Sequence, residues 1–175
     1  MQFDCDIIIV GGGLNGPVLA LALAQAGQRV TLIDALPTAK RKGSGFDGRS
    51  YAMALTSTRL MEGIGLWHDL ASLAQPILDI KVTDGRAGEG PSPFFMHFDH
   101  AEIEEGPMGY MVEDRHLRPA LLSAVKAQKL IQTLDGETVV AQQVDGGGVR
   151  VSLASGKTLS GRLLVGCDGR GSGTA

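Results

Sequence analysis

Residues 7–16, with the sequence IIIVGGGLNG, decide the fold of this 175-residue chain. The run Ile7–Val10 is apolar and entirely β-branched, which is typical of a parallel strand buried on both faces. Gly11, Gly13 and Gly16 follow it with the spacing G-x-G-x-x-G. The first glycine permits a tight turn, the second lets a phosphate approach the backbone, and the third lets helix and strand pack closely. This pattern predicts a dinucleotide-binding turn.

The residues after the glycines complete a β-α-β unit. Positions 17–26 are good helix formers, and Pro17 stands near the helix start, where its missing N–H costs little. An apolar run at 30–33 predicts a second strand, and Asp34 ends it, about 20 positions after the glycines. An acidic residue at this place accepts hydrogen bonds from an adenosine ribose, and the helix N-terminus attracts phosphate. The complete unit favours dinucleotide binding over a purely structural glycine turn.

Composition narrows the class of protein. Hydrophobic residues make up 43% of the chain and the formal net charge is −3, which indicates one soluble globular domain and argues against nucleic-acid binding. Cys5 and Cys167 do not have zinc-site spacing, so we expect two free thiols and a cytoplasmic setting. His97 and His100 lack an obvious third ligand, and no metal site is predicted.

The remaining elements follow from periodicity and turn signals. We predict helices at 50–64 and 115–129, a helical turn at 67–73, and strands at 77–83, 94–98, 109–112, 138–144, 148–153 and 158–165. The first three of these strands are expected to form an inserted antiparallel sheet with Leu78, Ile80 and Val82 on its buried face. The last three are expected to form a β-meander that leads into a buried strand.

Two local details remain. Residues 37–50 are predicted to be a polar loop containing Lys40, Arg41 and Lys42. We favour a solvated loop for this basic triplet, with a phosphate contact, for example to NADPH, as the alternative. Asp114 is the expected N-cap of the helix that follows it.

Four segments together resemble the FAD-dependent aromatic hydroxylases, and most of all their ubiquinone-biosynthesis branch. They are residues 6–34, 47–67 (beginning DGRSYAMAL), 113–121 (EDRHLRPAL) and 165–169 (VGCDG). The resemblance covers the whole chain but only the N-terminal half of a full-length member, so we expect a fragment. It implies an α/β, Rossmann-like FAD-binding fold of the glutathione-reductase type, with an inserted antiparallel β-sheet of a substrate domain and a β-meander. The implied division is 1–76 and 113–175 for FAD binding and 77–112 for the insertion.

The resemblance also assigns roles to individual residues. Asp34 would hold the adenosine ribose, Arg49 would lie by the flavin and its phosphates, and Arg115 would lie by the pyrophosphate or ribityl chain. Asp168 would fix the phosphate-side loop and the encounter with NAD(P)H. Arg115 also stands at a helix start, where the dipole repels cations, so it requires an anion nearby. The predicted cofactor-binding residues are therefore Gly11, Gly13, Leu14, Asn15, Gly16, Asp34, Arg49, Arg115 and Asp168, with no catalytic side chain.

The implied activity is the hydroxylation of an aromatic ring with NAD(P)H and O₂, through a flavin C4a-hydroperoxide. The cofactor carries this chemistry, so no nucleophile or paired carboxylates are required. A ubiquinone-type substrate would be a polyprenyl phenol, which implies peripheral contact with the inner membrane or a complex with other pathway enzymes.

Other functions stay open from the sequence alone. The family's Gly-Asp-Ala segment is absent, and Ala175 stands where the family places an arginine, so the fragment alone is expected to be inactive. The alternatives are another flavin enzyme such as a halogenase or geranylgeranyl reductase, an NAD-dependent dehydrogenase, or a non-catalytic dinucleotide-binding fragment. Asp34 suits FAD and NAD equally, but the predicted meander favours FAD.

Overall fold

The structure, a computed structural model, describes residues 3–41, 45–85 and 87–174. Its strands are β1 (Ile7–Val10), β2 (Val30–Asp34), β3 (Ser50–Ala54), β4 (Gln75–Ile77), β5 (Asp79–Thr83), β6 (Phe95–Asp99), β7 (Gly109–Glu113), β8 (Ile131–Asp135), β9 (Val139–Asp145), β10 (Gly148–Leu153), β11 (Thr158–Gly161) and β12 (Leu163–Gly166). Its helices are α1 (Asn15–Gln25), α2 (Thr38–Arg41), α3 (Leu55–Gly63), α4 (Trp67–Leu70) and α5 (Asp114–Ala127), with 3₁₀ turns at Ala71–Leu73 and His100–Glu102. Within these ranges, none of the helices has the length and apolar character needed to cross a bilayer.

A four-stranded parallel sheet carries the predicted dinucleotide unit. Its strand order is β12-β1-β2-β8, and each neighbouring pair is parallel. All four residues of β1 are buried, as its apolar sequence predicts. The chain leaves β1 towards β2 on one side, while β12 lies on the other side, so the end of β1 is the point where strand order reverses. Open α/β sheets bind ligands at such a point.

The two faces of the parallel sheet are covered by different layers. Helices α1 and α5 pack on one face, where Ile9, Leu32 and Leu121 belong to one hydrophobic cluster. Strands β9, β10 and β11 form an antiparallel meander on the other face, where Ile8 and Val151 are fully buried. The predicted meander and the α/β fold class are confirmed.

The middle of the chain differs from the prediction. The predicted helix at 50–64 begins with strand β3, because residues 50–54 pair with β7, and only the part from Leu55 is helical. The predicted three-stranded insertion is wrong: β7 pairs with β3 and β4, whereas β5 and β6 form a separate two-stranded sheet. Leu78, Ile80 and Val82, expected to be buried, are 41–46% exposed, because no other described element covers this face of the β5–β6 sheet.

Three further differences from the prediction concern residues 37–50, 158–165 and 131–135. The loop predicted at 37–50 contains helix α2. The single strand predicted at 158–165 is two strands, since β11 completes the meander and β12 joins β1 in the parallel sheet. Strand β8 was not predicted, although it forms the edge of that sheet beside β2.

The packing of the meander on the parallel sheet predicts unequal effects of two truncations. Ile8→Ala removes a side chain with no exposed surface and should lower the free energy of unfolding by about 2–5 kcal/mol, because it leaves a cavity. Leu163→Ala, on edge strand β12 where Leu163 is 53% exposed, is the control and should cost less than about 1 kcal/mol. Urea denaturation of both variants measures the difference. Equal losses would contradict the layered core.

Candidate functional site

A cleft of about 550 Å³ lies beside the C-terminal ends of β1 and β2. Its described lining residues are Gly13, Asp34, Leu36, Lys40, Arg41, Gly45, Phe46, Asp47, Arg49, Asp114 and Arg118. Four cations face three carboxylates in this lining, so its formal charge is +1, whereas the whole chain carries −3. A positive cleft in a negative protein concentrates anionic ligands. The structure brings three predicted residues, Gly13, Asp34 and Arg49, to this one cleft.

The three fingerprint glycines differ in what surrounds them. Gly11 has φ +111°, and a Cβ built on it would stand 2.2 Å from the Cys167 carbonyl oxygen. A Cβ on Gly16 would stand 1.9 Å from the Gly11 carbonyl oxygen. At Gly13, in contrast, no described atom lies within 4 Å of the added Cβ. The first and third glycines are therefore needed for packing, and the second leaves an open place where a phosphate group fits.

The start of helix α1 faces this opening. The N-cap is Leu14, and no described side chain caps the helix, whose first turn also contains no acidic residue. Its free N–H groups and the positive end of its dipole favour an anion. Leu14 and Asn15 themselves line a neighbouring, mainly apolar groove of about 530 Å³ that also includes Tyr51 and Met53. These two predicted residues thus adjoin the turn without lining the cleft.

Asp34 has free acceptor capacity directed at the cleft. Its Oδ2 accepts the Gly12 N–H at 2.5 Å, and its Oδ1 accepts the Leu36 N–H at 2.8 Å. An ionised carboxylate accepts about four hydrogen bonds, so each oxygen retains one acceptor position. The side chain is 14% exposed. This geometry fits a ribose that donates its two hydroxyls to one carboxylate.

A second carboxylate, Asp114, gathers three donors on the opposite wall. It accepts hydrogen bonds from the Tyr51 hydroxyl at 2.9 Å and from Arg118 at 2.7 and 2.9 Å. Arg49 Nη2 lies 3.2 Å from its Oδ2, while Arg49 also binds Asp47 through Nε at 2.8 Å. The hydrogen bond to Asp47, and next the charge of Asp114, raise the pKa of Arg49. The network holds Arg49 and Arg118 in the cleft wall.

The structure corrects the predicted role of Asp114. Glu113 occupies the N-cap position, and Asp114 is the first helical residue, with its carboxylate turned to Arg118. Burial alone would raise the pKa of Asp114, but hydrogen bonds from Arg118 and Tyr51 outweigh it, so the pKa lies below its usual value. The sequence analysis missed this pair, although an Asp and an Arg four residues apart on a helix are a recognisable signal.

Arg115 does not line the cleft itself but contacts Phe46, which does. It forms an ion pair with Glu113, and its guanidinium carbon lies 5.3 Å from the centre of the Phe46 ring. Phe46 in turn lines the cleft. The anion beside Arg115 at the helix start is thus Glu113, and the arginine of α5 that lines the cleft is Arg118. Direct cofactor contact by Arg115 stays a prediction.

Asp168 lies beside the first glycine and organises the loop after β12. A Cβ on Gly11 would stand 2.7 Å from the Asp168 nitrogen. Asp168 Oδ2 accepts the Thr174 hydroxyl at 2.9 Å and the Gly173 N–H at 3.0 Å. Burial acts to raise the pKa of Asp168, but hydrogen bonds from Ser172 and Thr174 lower it overall. A role in fixing this loop agrees with the geometry, whereas contact with NAD(P)H stays a prediction.

Arg41 differs from the solvated loop that we favoured for the basic triplet. It is 8% exposed and donates to the Gly12 carbonyl at 2.8 Å and to Asp135 at 2.6 Å. Lys40 is exposed, as expected, and lines the cleft. Lys42 lies outside the described residues. No local sequence signal indicates the partner that draws Arg41 inward, because Asp135 lies far along the chain.

The histidines and cysteines lie away from the cleft. His97 contacts Asp79 at 2.6 Å, and with Asp99 these residues place one ligand atom each within 4.8 Å of one another on the β5–β6 sheet. Asp79 and His97 are exposed, Asp99 is partly exposed, and His97 Nε2 already contacts Asp79; the absence of a metal stays a prediction. Cys5 and Cys167 are both free thiols.

Comparison with known proteins decides the family. The sequence profile of the FAD binding domain matches residues 4–175. The chain belongs to this FAD-binding family. The predicted FAD cofactor is confirmed at the level of the family, and the NAD-dependent dehydrogenase is no longer needed as an alternative.

Individual relatives are longer than this chain. It is 45% identical over 165 residues to ubiquinone hydroxylase UbiL of Rhodospirillum rubrum, covering 94% of this chain and 37% of that protein. It is 30% identical over 169 residues to 3-demethoxyubiquinol 3-hydroxylase of Escherichia coli, covering 95% and 42%. The chain thus spans about two fifths of the length of these relatives. This supports the predicted resemblance to the ubiquinone branch.

A solved structure shows the same fold. The crystal structure of p-nitrophenol 4-monooxygenase PnpA from Pseudomonas putida superimposes with a TM-score of 0.77 and 18% identity, covering 99% of this chain and 43% of that one. The Rossmann-like FAD-binding fold predicted from the sequence is therefore confirmed.

The surroundings of the glycines predict that two similar substitutions act differently. Gly13→Ala should leave the unfolding midpoint nearly unchanged but weaken FAD binding by roughly tenfold or more, because its methyl group occupies the open place at the turn. Gly16→Ala should instead destabilise the fold, because its methyl group would collide with the Gly11 carbonyl. Thermal unfolding and FAD titration separate the two. Unimpaired FAD binding by Gly13→Ala would contradict the assigned cradle.

The lowered pKa of Asp114 predicts a pH-dependent contribution to stability. Asp114→Asn should lower the free energy of unfolding at pH 7 by roughly 1–3 kcal/mol, because it weakens hydrogen bonds to a charged group. The folded pKa lies below the unfolded value of about 3.9, so the stabilisation is complete above that pH and is lost as the pH falls through the folded pKa.

The difference between wild type and Asp114→Asn should therefore shrink below about pH 4. Urea denaturation at neutral and acidic pH measures it, with Asp69→Asn, at an exposed carboxylate of α4, as the control. A difference that stayed constant down to about pH 3 would show that the Asp114 charge does not stabilise the fold.

Proposed function

We propose that this chain is the FAD-binding portion of an NAD(P)H- and O₂-dependent monooxygenase that hydroxylates an aromatic ring. The observation that carries the proposal is the 45% identity to a ubiquinone hydroxylase across 94% of the chain. The chain itself carries the glycine turn, the acidic residue at the end of β2 and the cleft beside them, which agree with a cofactor-binding part. The substrate class we infer is a polyprenyl phenol of ubiquinone biosynthesis.

In this proposal the chain's residues bind and orient the cofactor. Asp34 accepts the ribose hydroxyls, the open backbone at Gly13 and the start of α1 receive the pyrophosphate, and Arg49 and Arg118 balance its negative charge. Asp168 holds the loop beside the turn. Arg115, which packs against the Phe46 ring beside the cleft, lies by the pyrophosphate or ribityl chain in this proposal.

FAD, when bound, supplies the redox chemistry, accepting a hydride equivalent from reduced nicotinamide and activating O₂. The protein has to hold the ring system in place and exclude water around it. No nucleophile or acid–base pair is assigned to the described residues of the cleft, because this chemistry does not require one. The chain spans about two fifths of the length of its relatives, and we propose that it is inactive by itself.

We further propose that residues 1–76 and 113–175 form the FAD-binding part and that residues 77–112 belong to a substrate domain. The exposed apolar side chains of the β5–β6 sheet, such as Ile80 and Phe98, agree with a surface that other parts of such an enzyme cover. Peripheral contact with the inner membrane, or a complex with other pathway enzymes, is proposed from the polyprenyl substrate alone.

Calorimetric titration of the purified chain with FAD, NAD and ADP tests cofactor choice. FAD should bind at least about tenfold more tightly than NAD, and Asp34→Ala should weaken FAD binding by roughly tenfold to a hundredfold, because it removes two charged hydrogen bonds. Asp69→Ala, at an exposed carboxylate of α4, is the matched control and should bind normally. Tighter NAD binding, or no effect of Asp34→Ala, would contradict the proposal.

A test of the substrate class requires a protein of the relatives' length that contains this chain. Its NAD(P)H oxidation and O₂ consumption should depend on a polyprenyl phenol and yield a hydroxylated ring by mass spectrometry. Turnover that responds equally to short phenols without a prenyl tail would argue against the ubiquinone-type substrate.

A further inference from the structure

Arg41 is a buried cation at the junction of three elements. Its side chain is only 7% exposed. Nη1 donates to the Gly12 carbonyl at 2.8 Å, and Nη2 donates to Asp135 at 2.6 Å and to the Thr38 hydroxyl at 3.2 Å. One side chain thus joins the glycine turn, helix α2 and the end of β8.

The third nitrogen faces the predicted ribose acceptor. Arg41 Nε lies 3.6 Å from Asp34 Oδ1, and it has no hydrogen-bond partner among the described residues. A buried donor without a partner is costly, and a full hydrogen bond to Asp34 would need a movement of only a few tenths of an ångström. The guanidinium therefore acts on Asp34 through its positive charge and through its close approach to the carboxylate.

The need for a cation at this place follows from the strand register. Asp34 and Asp135 are direct neighbours at the ends of the parallel strands β2 and β8. Two like charges side by side on a sheet repel each other. Arg41 lies against both carboxylates, 3.6 Å from Asp34 Oδ1 and 2.6 Å from Asp135 Oδ1, and its positive charge offsets their repulsion.

Arg41 also shapes the turn itself. A Cβ built on Gly12 would stand 2.3 Å from Arg41 Nη1 and 2.9 Å from the Asp34 side chain. Residue Gly12 is therefore held on both sides, with its N–H donated to Asp34 and its carbonyl accepting from Arg41. Each of the two peptide groups that flank Gly12 is fixed by one of these contacts.

We propose that Arg41 is a positioning residue for the adenosine end of the cofactor, acting through Asp34, which also accepts the Gly12 N–H. This inference rests on the proposed use of Asp34 to bind the FAD ribose. Because Nη1 and Nη2 of Arg41 already donate hydrogen bonds within the protein and Nε faces Asp34, Arg41 is not available to a 2′-phosphate, and the site takes an adenosine with a free 2′,3′-diol.

A double-mutant cycle tests whether Arg41 acts through Asp34. FAD affinity is measured by calorimetry for wild type, Arg41→Met, Asp34→Ala and the double variant. Arg41→Met should weaken FAD binding by about tenfold or more in the wild-type background, but by less than about twofold once Asp34 is absent. ADP, which shares the adenosine, should show the same pattern. Arg59→Met, which removes an exposed arginine paired with Glu105, should bind as wild type.

Arg41→Lys keeps the charge but cannot reach three partners at once, and it should weaken FAD binding less than Arg41→Met does. Thermal unfolding without ligand identifies any variant that has lost its fold, and Arg41→Lys completes the cycle if Arg41→Met does not fold. Losses that simply add in the double variant would overturn the inference, since Arg41 would then act independently of Asp34. Absence of FAD binding by the wild type would instead overturn the proposed function, and this inference with it.

Discussion

The structure depends on backbone contacts at the end of β1 that leave no room for a side chain. Gly11 passes against the Cys167 carbonyl, and Gly16 passes against the Gly11 carbonyl, each at distances that a Cβ would violate. At the same point the backbone hydrogen bonds of the sheet continue beyond the strand ends. The Gly11 N–H donates to the Ile33 carbonyl, and the Cys167 N–H donates to the Val10 carbonyl. Because β1, β12 and α1 can approach only through these glycines, their ends converge on one point. The convergence places the start of α1 beside the end of β2, and the cofactor cleft follows from it.

Ion pairs at the same edge of the parallel sheet form a second feature of the cleft. Parallel strands end together, so carboxylates that close neighbouring strands meet, as Asp34 and Asp135 do. Asp114 adds a third carboxylate on the opposite wall. Arg41 lies against the first two, and Arg49 and Arg118 lie against Asp114. The described lining, which includes Asp47 and Lys40 but not Asp135, keeps a formal charge of +1. In the proposed function, the arginines that attract a pyrophosphate are thus also ion-paired within the fold.

What the sequence could predict was local. The β1-turn-α1-β2 unit follows from glycine spacing and from periodicity within 34 residues, and the meander follows from three short strands with clear turns. Strand β3, the division of 158–165 and strand β8 depend on partners far along the chain, which periodicity does not record. The same holds for Arg41, because its burial depends on Asp135, 94 residues away.

The arginines of α5 are a different case. Asp114, Leu117, Leu121 and Val125 define its buried face. At about 100° per residue, Arg118 lies beside that face and Arg115 lies well off it. The helix period thus places Arg118 closer to the buried face than Arg115, in agreement with Arg118 lining the cleft.

In the proposed function, Asp34 and the glycine turn contact a part of the cofactor that does not react. Contacts with adenosine and pyrophosphate contribute binding energy at a distance from the flavin ring, and such remote binding energy can be used to hold a reacting group in position. The elements that supply these contacts lie mostly within residues 7–41, where turn, helix and two strands are joined by short connections. The ring end of the cofactor depends on water exclusion, which a single wall cannot provide. In the proposed function, cofactor affinity and oxygen chemistry are therefore separable: the first depends on Asp34, Gly13 and the arginines that surround them, and the second on the exclusion of water around the ring.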